Sequence, residues 1–176
     1  MNRSLAKSVV EGLIFAHSEP IKLDTLEKLI PSVPRTQLES ILKELEEEYR
    51  VRARGFILSQ VSGGYQFRTL TEIAHWIVSL RSIRPFKLSR AALETLSVIA
   101  YNQPITKARI EQIRGVESSS ALKSLLERDL VAVTGKLEAP GRPLLYSTTD
   151  RFLEVFGLNA LSELPPLPEL EVIVDD

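Results

Sequence analysis

The sequence contains no cysteine. Disulfides and thiolate metal sites are therefore excluded, and a reducing compartment suits the chain. No apolar run approaches the ~20 residues that a membrane-spanning helix requires. The opening MNRSLAKSVVEGLIFAHSEP holds neither a long apolar core nor a small-residue cleavage site, so no secretion signal is expected. A soluble, cytoplasmic protein follows as the expectation. An excess of one charge is missing too, since the net charge is −1. Residues 1–70 carry ten basic and nine acidic groups, residues 71–157 twelve and nine, and residues 158–176 none and five. A dedicated DNA-binding domain is usually strongly basic. Here only the second half leans that way, and weakly.

The residue sets of common chemistry are absent as well. There is no G-x-x-x-x-G-K-[ST] loop and no G-x-G-x-x-G turn. The two histidines, His17 and His75, fall in different parts of the pattern and read as helix-surface or core-edge residues. Ser4 with Lys7, and Ser120 with Lys123, fit S-x-x-K, but the companion motifs of the hydrolases that use that pair are missing. No set of three or four metal ligands occurs at a recognised spacing. No catalytic residue, cofactor or metal is expected, and the chain does not read as an enzyme.

What the sequence does contain is a repeat. Its 176 residues allow one ordinary domain or two small ones. Aligning Pro20-Ile21 with Pro104-Ile105, an offset of 84, sets Ala16 on Ala100, His17 on Tyr101, Leu26 on Ile110, Glu27 on Glu111 and Leu29 on Ile113. Before each Pro-Ile pair lies an apolar stripe at helical spacing: Leu5, Val9, Leu13 and Ala16, then Leu93, Leu96 and Ala100. After each comes a short helix and then a third. Leu38, Ile41, Leu42, Leu45 and Tyr49 share one face of the first copy's third helix, and Leu122, Leu125 and Leu126 that of the second. Thr36 with Glu39 fits a capping box, with Ser32 a rival start. Ser118 to Ser120 offer caps in the second copy. Each buried leucine is worth ~1.5–3 kcal/mol, enough for a small core per copy.

The period then changes in both copies. FILSQVSGGYQFRT places Gly63-Gly64 between two short runs, a hairpin signal. Leu130–Val133 and Leu144–Thr148 form a second pair around a longer Gly- and Pro-punctuated loop. Three helices and a hairpin make a winged helix. The expected fold is mainly α with small β-hairpins: tandem winged-helix (winged helix-turn-helix) domains joined by a linker helix. The expected domains are 1–70, the linker helix 71–87, 88–157, and an acidic, Pro-rich, disordered tail 158–176. In the linker, Ile73, Trp76, Ile77 and Leu80 recur at helical spacing, and Pro85 ends it. DRFLEVFG reads as a final short helix stopped at Gly157.

A DNA-reading helix needs Lys and Arg on its surface. The first copy's third helix carries Glu39, Glu44, Glu46, Glu47 and Glu48 against Lys43 and Arg50. The second sets Lys123 and Arg128 against Glu127 and Asp129, and its wing Lys136 and Arg142 against Glu138. Basic residues that cluster elsewhere, from Arg81 to Arg114, are interleaved with acids and read as a solvated surface. The helix-turn-helix is expected to bind something other than DNA bases. A winged-helix transcriptional regulator is the alternative.

AYNQPITKARIEQIRGV and PGRPLLYSTTDRFLEVFGL, supported by EGLIFAHSEPI, SGGYQFRT and TEIAHWI, closely resemble the segregation and condensation protein B family over about residues 5–165. Asp129, where the family often has glycine, and Ser147 are mild departures. The resemblance implies a bacterial cytoplasmic, nucleoid-associated homodimer without enzymatic activity. Its implied partner is the kleisin subunit, segregation and condensation protein A, which bridges the heads of the structural-maintenance-of-chromosomes ATPase in a condensin. Dimerisation is implied through the first domain and kleisin contact chiefly through the second. Any DNA contact would be weak and indirect. The first helix offers Leu5, Ala6, Val9, Val10, Leu13 and Ile14 for the dimer: one face fills the core, and Val10 with Ile14 mark the face toward a second subunit. Tyr101, Gln103, Arg109, Arg114 and Arg142 are the candidate kleisin contacts, since aromatic and Arg side chains commonly anchor interfaces.

Overall fold

The structure, a computed structural model, describes residues 1–52, 54–81 and 87–167. One element order occurs twice. In the first half α1 (Arg3–Ala16), β1 (Ile21–Lys22), α2 (Leu23–Leu29) and α3 (Arg35–Val51) precede strands β2 (Phe56–Val61) and β3 (Gly64–Thr69). A 3-10 turn at Thr71–Ile73 leads into α4 (Ala74–Arg81). The second half repeats the series as α5 (Arg90–Asn102), β4 (Ile105–Thr106), α6 (Lys107–Arg114), α7 (Ser119–Glu127), β5 (Val131–Lys136) and β6 (Leu144–Thr148). It closes with α8 (Asp150–Phe156) and a 3-10 turn at Leu161–Glu163. Two winged helices in tandem are thus present, and Pro85 lies outside the described residues.

The Pro-Ile pairs do more than stop helices. Ile21 and Ile105 each begin a two-residue strand that joins the wing, giving antiparallel sheets in the orders β1-β3-β2 and β4-β6-β5. Ile21 lies opposite Tyr65, and Ile105 opposite Tyr146. In the first sheet this pairing depends on Gly64. A Cβ there would stand 2.9 Å from the backbone carbon and oxygen of Ile21. Ser62 and Gly63 both take positive φ, which suits the tight two-residue hairpin between β2 and β3. The second wing has a register shift between Val133 and Gly135, a bulge that bends it locally.

Each half has its own core. Leu38, Ile41, Leu42 and Leu45 of α3 are fully buried, as the periodicity predicts. The α1 stripe is rotated from the expected one. Ala6, Val10 and Ile14 fill the core, Val9 and Leu13 pack at its margin, and Leu5 is 54% exposed. Val10 and Ile14 are therefore core residues and have no surface to offer a second subunit. Periodicity alone left two overlapping stripes, and contact with α3 and β3 decided between them.

The α3 start also differs. Pro34 is its N-cap, with no side-chain cap bond, so neither the Thr36–Glu39 box nor Ser32 opens the helix. Proline suits this edge because its missing N–H would have had no helical partner. Ile73, at the end of the 3-10 turn, and Ile77 of α4 are half-buried while Trp76 and Leu80 are exposed, so the expected linker stripe is only partly covered.

The acidic tail divides as well. Within residues 158–167, Leu158 and Leu164 pack against the second core, while residues 161–163 and 165–167 are exposed. Leu158 and Leu164 thus have neighbours in the core inside the stretch expected to be disordered. Residues 168–176 lie outside the described residues. The two halves also touch. Lys22 pairs with Asp150 at 2.9 Å, Arg68 donates to the backbone oxygen of Glu154 at 2.8 Å, and Gln66 donates to the Glu154 carboxylate at 3.1 Å.

Candidate partner-binding surfaces

Along α1 the exposed edge is built from Leu5, Ser8, Gly12 and Phe15, and Phe15 is 77% exposed. It borders a groove of about 310 Å³ that Tyr49, Phe56 and Phe67 also line. Those three rings pack together, with centroids 4.8 Å apart for Tyr49 and Phe67 and 5.3 Å for Tyr49 and Phe56. The Tyr49 hydroxyl donates to Glu11, and the Arg54 guanidinium lies 4.7 Å from the Tyr49 ring centre. Burial first, then the Glu11 contact, pushes the Tyr49 phenol above its ordinary range. The groove is thus a rigid aromatic wall beside a free phenylalanine.

The carboxylates of α3 are largely spent inside the domain. Glu44 pairs with Lys7 at 2.6 Å and with Arg3 at 2.9 Å, Glu48 pairs with Lys7, and Arg35 meets Glu27 at 2.8 Å and Glu39 at 3.5 Å. These bonds hold the Glu44 carboxyl below its ordinary value and raise the Lys7 ammonium. The acidic face that the sequence shows on α3 is in good part a clamp onto α1.

The five second-domain candidates separate into two groups. Gln103 is structural: its Oε1 accepts from the Thr148 N–H at 2.5 Å and from Thr148 Oγ1 at 2.9 Å, tying the end of α5 to β6. Arg114 is structural too, with 6% of its side chain exposed. It donates to Ser118 Oγ at 2.9 Å and to Glu94 at 3.1 Å, while the Ser118 N–H is met by Glu111 at 2.9 Å. Arg114 and Glu111 therefore organise the turn that opens α7, and Ser118 caps it without a side-chain bond of its own. Arg114 cannot serve a partner without leaving this network.

Tyr101, Arg109 and Arg142 remain at the surface. Arg109 donates to Gln112 at 2.7 Å, Arg142 pairs with Glu138 at 3.1 Å, and the Tyr101 hydroxyl donates to the Pro165 carbonyl at 2.6 Å. The second wing adds apolar surface that sequence reasoning missed: Val133, Leu137 and Leu144 are each between 39% and 46% exposed. The signal was present in VAVTGKLEAPGRPLLYST, where more apolar residues occur than one side of a hairpin can bury. Among the described residues no group of three or more His, Asp or Glu side chains is placed to hold a metal ion, and no helix is long and apolar enough to cross a membrane.

Fold and surfaces together define a tandem winged-helix protein with aromatic and apolar patches on both domains. The family model for the segregation and condensation complex subunit ScpB matches residues 8–167. Segregation and condensation protein B of Syntrophotalea carbinolica is 48% identical over 163 residues, which is 93% of this chain and 82% of that protein. Its counterpart in Clostridium tetani is 42% identical over 164 residues, 93% and 86% of the two chains. The crystal structure of ScpB from Mycobacterium tuberculosis is 32% identical, covers 90% of this chain and 98% of its own, and has a TM-score of 0.43. The chain belongs to the segregation and condensation complex subunit ScpB family.

Proposed function

We propose that this protein is a non-enzymatic, homodimeric condensin subunit. It binds the kleisin, segregation and condensation protein A, which bridges the heads of the structural-maintenance-of-chromosomes ATPase. In this role it serves chromosome condensation and segregation at the nucleoid, in the cytoplasm. The observation that carries the reading is family membership over residues 8–167. The surfaces of both domains support it.

The dimer contact is assigned to the α1 edge of the first domain. Gly12 supports this. A glycine inside a helix costs about 1 kcal/mol relative to alanine. Among the described residues, and apart from the neighbouring turns of its own helix, nothing lies within 4 Å of a Cβ built at Gly12, so the fold described does not call for glycine there. Close approach of a second subunit does. Leu5 and Phe15 flank that approach, and Val9 and Leu13 back it, while Ala6, Val10 and Ile14 support it from the core. On the second domain the kleisin contact is assigned to Tyr101, Arg109, Arg142 and the apolar wing residues. Gln103 and Arg114 shape that face from behind.

Sedimentation of the purified protein, followed by calorimetric titration with purified kleisin, tests the reading. A dimer that takes up kleisin supports it. A monomer, or a titration without heat at any concentration reached, overturns the corresponding part. Fluorescence anisotropy with duplex DNA is the companion measurement. Salt-sensitive DNA binding without kleisin binding would favour the transcriptional-regulator alternative.

A further inference from the structure

The segment 158–167 is tied down at both ends, and its two ends belong to different neighbours. At the start, the carbonyl of Leu158 accepts from the Ser62 N–H and Asn159 Oδ1 accepts from the Gly63 N–H, each at 2.9 Å. Ser62 and Gly63 form the turn of the first wing. At the other end Leu164 packs against the second core, and the Pro165 carbonyl takes the Tyr101 hydroxyl at 2.6 Å. A narrow cavity of about 140 Å³ remains beside Leu164, lined by Leu93, Ala100, Tyr101, Phe152 and Phe156.

Between these anchors the segment is short and internally bonded. The N–H of Asn159 donates to Glu163 at 2.7 Å, and the Leu164 N–H donates to the Leu161 carbonyl at 3.1 Å. Its entry is fixed by the end of α8, where the Leu158 N–H returns to the Leu153 carbonyl at 2.9 Å. A short segment folded on itself in this way transmits a change at one anchor to the other, because little slack separates them. Two sites that bias one such element are energetically coupled, and the coupling is reciprocal.

We propose that residues 158–167 are a strap that couples the Tyr101 groove of the second domain to the docking of the first wing. With the strap seated, the wing turn is held against the second domain. With Leu164 and Pro165 out of the groove, Leu158 and Asn159 hold their acceptors to the turn less firmly, the first domain leans on the Lys22–Asp150, Gln66–Glu154 and Arg68–Glu154 ties alone, and the domains move more freely against each other. The groove accepts an extended Leu-Pro segment in cis, so a kleisin segment contacting Tyr101 enters by displacing the strap and loosens the first domain. That last step rests on the kleisin reading above.

The absence of cysteine makes the test direct. Spin labels at Glu47→Cys and Lys123→Cys, both exposed positions on different domains, report the inter-domain distance in the full chain. The seated strap gives one narrow distance distribution. Tyr101→Phe with Leu164→Ala is expected to broaden it and to speed amide exchange at Ser62 and Gly63 by roughly tenfold. Reciprocally, Asn159→Ala at the far end is expected to speed exchange at the Leu164 amide. Faster exchange at Leu164 with an unchanged distance and unchanged Ser62 and Gly63 exchange would overturn the coupling. Tyr101→Phe alone, which removes one hydroxyl and keeps the ring, guards against misfolding. Purified kleisin added to the labelled protein separates the two readings. Binding with a broadened distribution supports both, and binding with an unchanged one overturns displacement of the strap. No binding overturns the kleisin assignment, and the strap variants then decide the coupling alone.

Discussion

Arg114 and Glu94 face each other across the second domain at 3.1 Å, with the arginine side chain 94% hidden from solvent. Removing the arginine side chain takes from Ser118 Oγ its buried donor, while Glu94, half exposed, keeps its pair with Arg90 at 3.0 Å. Arg114→Ala is expected to destabilise the second domain by about 2 kcal/mol, the usual cost of unpairing a buried polar network. Urea unfolding measures it. Loss of kleisin binding in an Arg114 variant would then report a damaged fold, and not a lost contact.

The same pair sets an acid dependence. The Arg114 hydrogen bond, then that of Arg90, holds the Glu94 carboxyl below its ordinary value of 4.5. The folded state therefore binds this proton less readily than the unfolded chain. Its stabilisation is complete above pH 4.5 and is lost as pH falls through the lower folded-state value. Glu94→Gln is expected to flatten the stability profile in that acid window and to leave the slope near neutrality unchanged. Melting curves taken across pH 3 to 7 check this.

Asp129 occupies the left-handed region at φ 55° just past α7. The Leu130 N–H returns to the Leu125 carbonyl and the Asp129 N–H to the Leu126 carbonyl, both at 3.0 Å, a Schellman-type helix end. Glycine occupies such a position without steric cost. Asp129→Gly is expected to stabilise the protein by about 0.5–1 kcal/mol, read as a higher melting temperature.

Gly64 gives the opposite sign. The 2.9 Å approach to the Ile21 backbone leaves no room for a methyl group. Gly64→Ala is expected to cost about 2–3 kcal/mol by forcing β1 off β3, with lost exchange protection at that pairing.

Gly12 separates folding from assembly. Gly12→Ala is expected to stabilise the helix by about 1 kcal/mol while weakening the dimer roughly tenfold or more by overpacking. Phe15→Asp is expected to give monomer with an unchanged fold. Sedimentation equilibrium beside circular dichroism distinguishes the two effects. A tight dimer in both variants would remove this edge from the contact.

For the kleisin, Arg109→Glu with Arg142→Glu is expected to lower affinity by roughly tenfold or more without shifting the melting temperature, because both side chains are exposed and carry no core contact. Isothermal titration with the kleisin measures it.

The sequence by itself determined the duplicated three-helix-and-hairpin plan and the core of α3. It did so because apolar period and turn residues are local signals that a neighbour seldom overrides. The helix end at Gly157 and the presence of a hairpin at Gly63-Gly64 were equally local, although the turn itself is Ser62-Gly63 and Gly64 already belongs to β3. The tertiary structure decided the rest. Two stripes coexist on α1, and only packing against α3 and β3 chose Ala6, Val10 and Ile14 for the core. Arg114 and Arg109 look alike in the chain, yet Glu94, twenty residues away from Arg114 in sequence, helps hold that arginine inward while Arg109 stays at the surface. The same holds for the tail. Its composition reads as disordered, but Leu158, Leu164 and Pro165 find partners in a wing and a helix folded from distant stretches. Burial and hydrogen bonding between residues far apart in sequence leave no periodic trace within either segment, so that part of the protein became visible only in three dimensions.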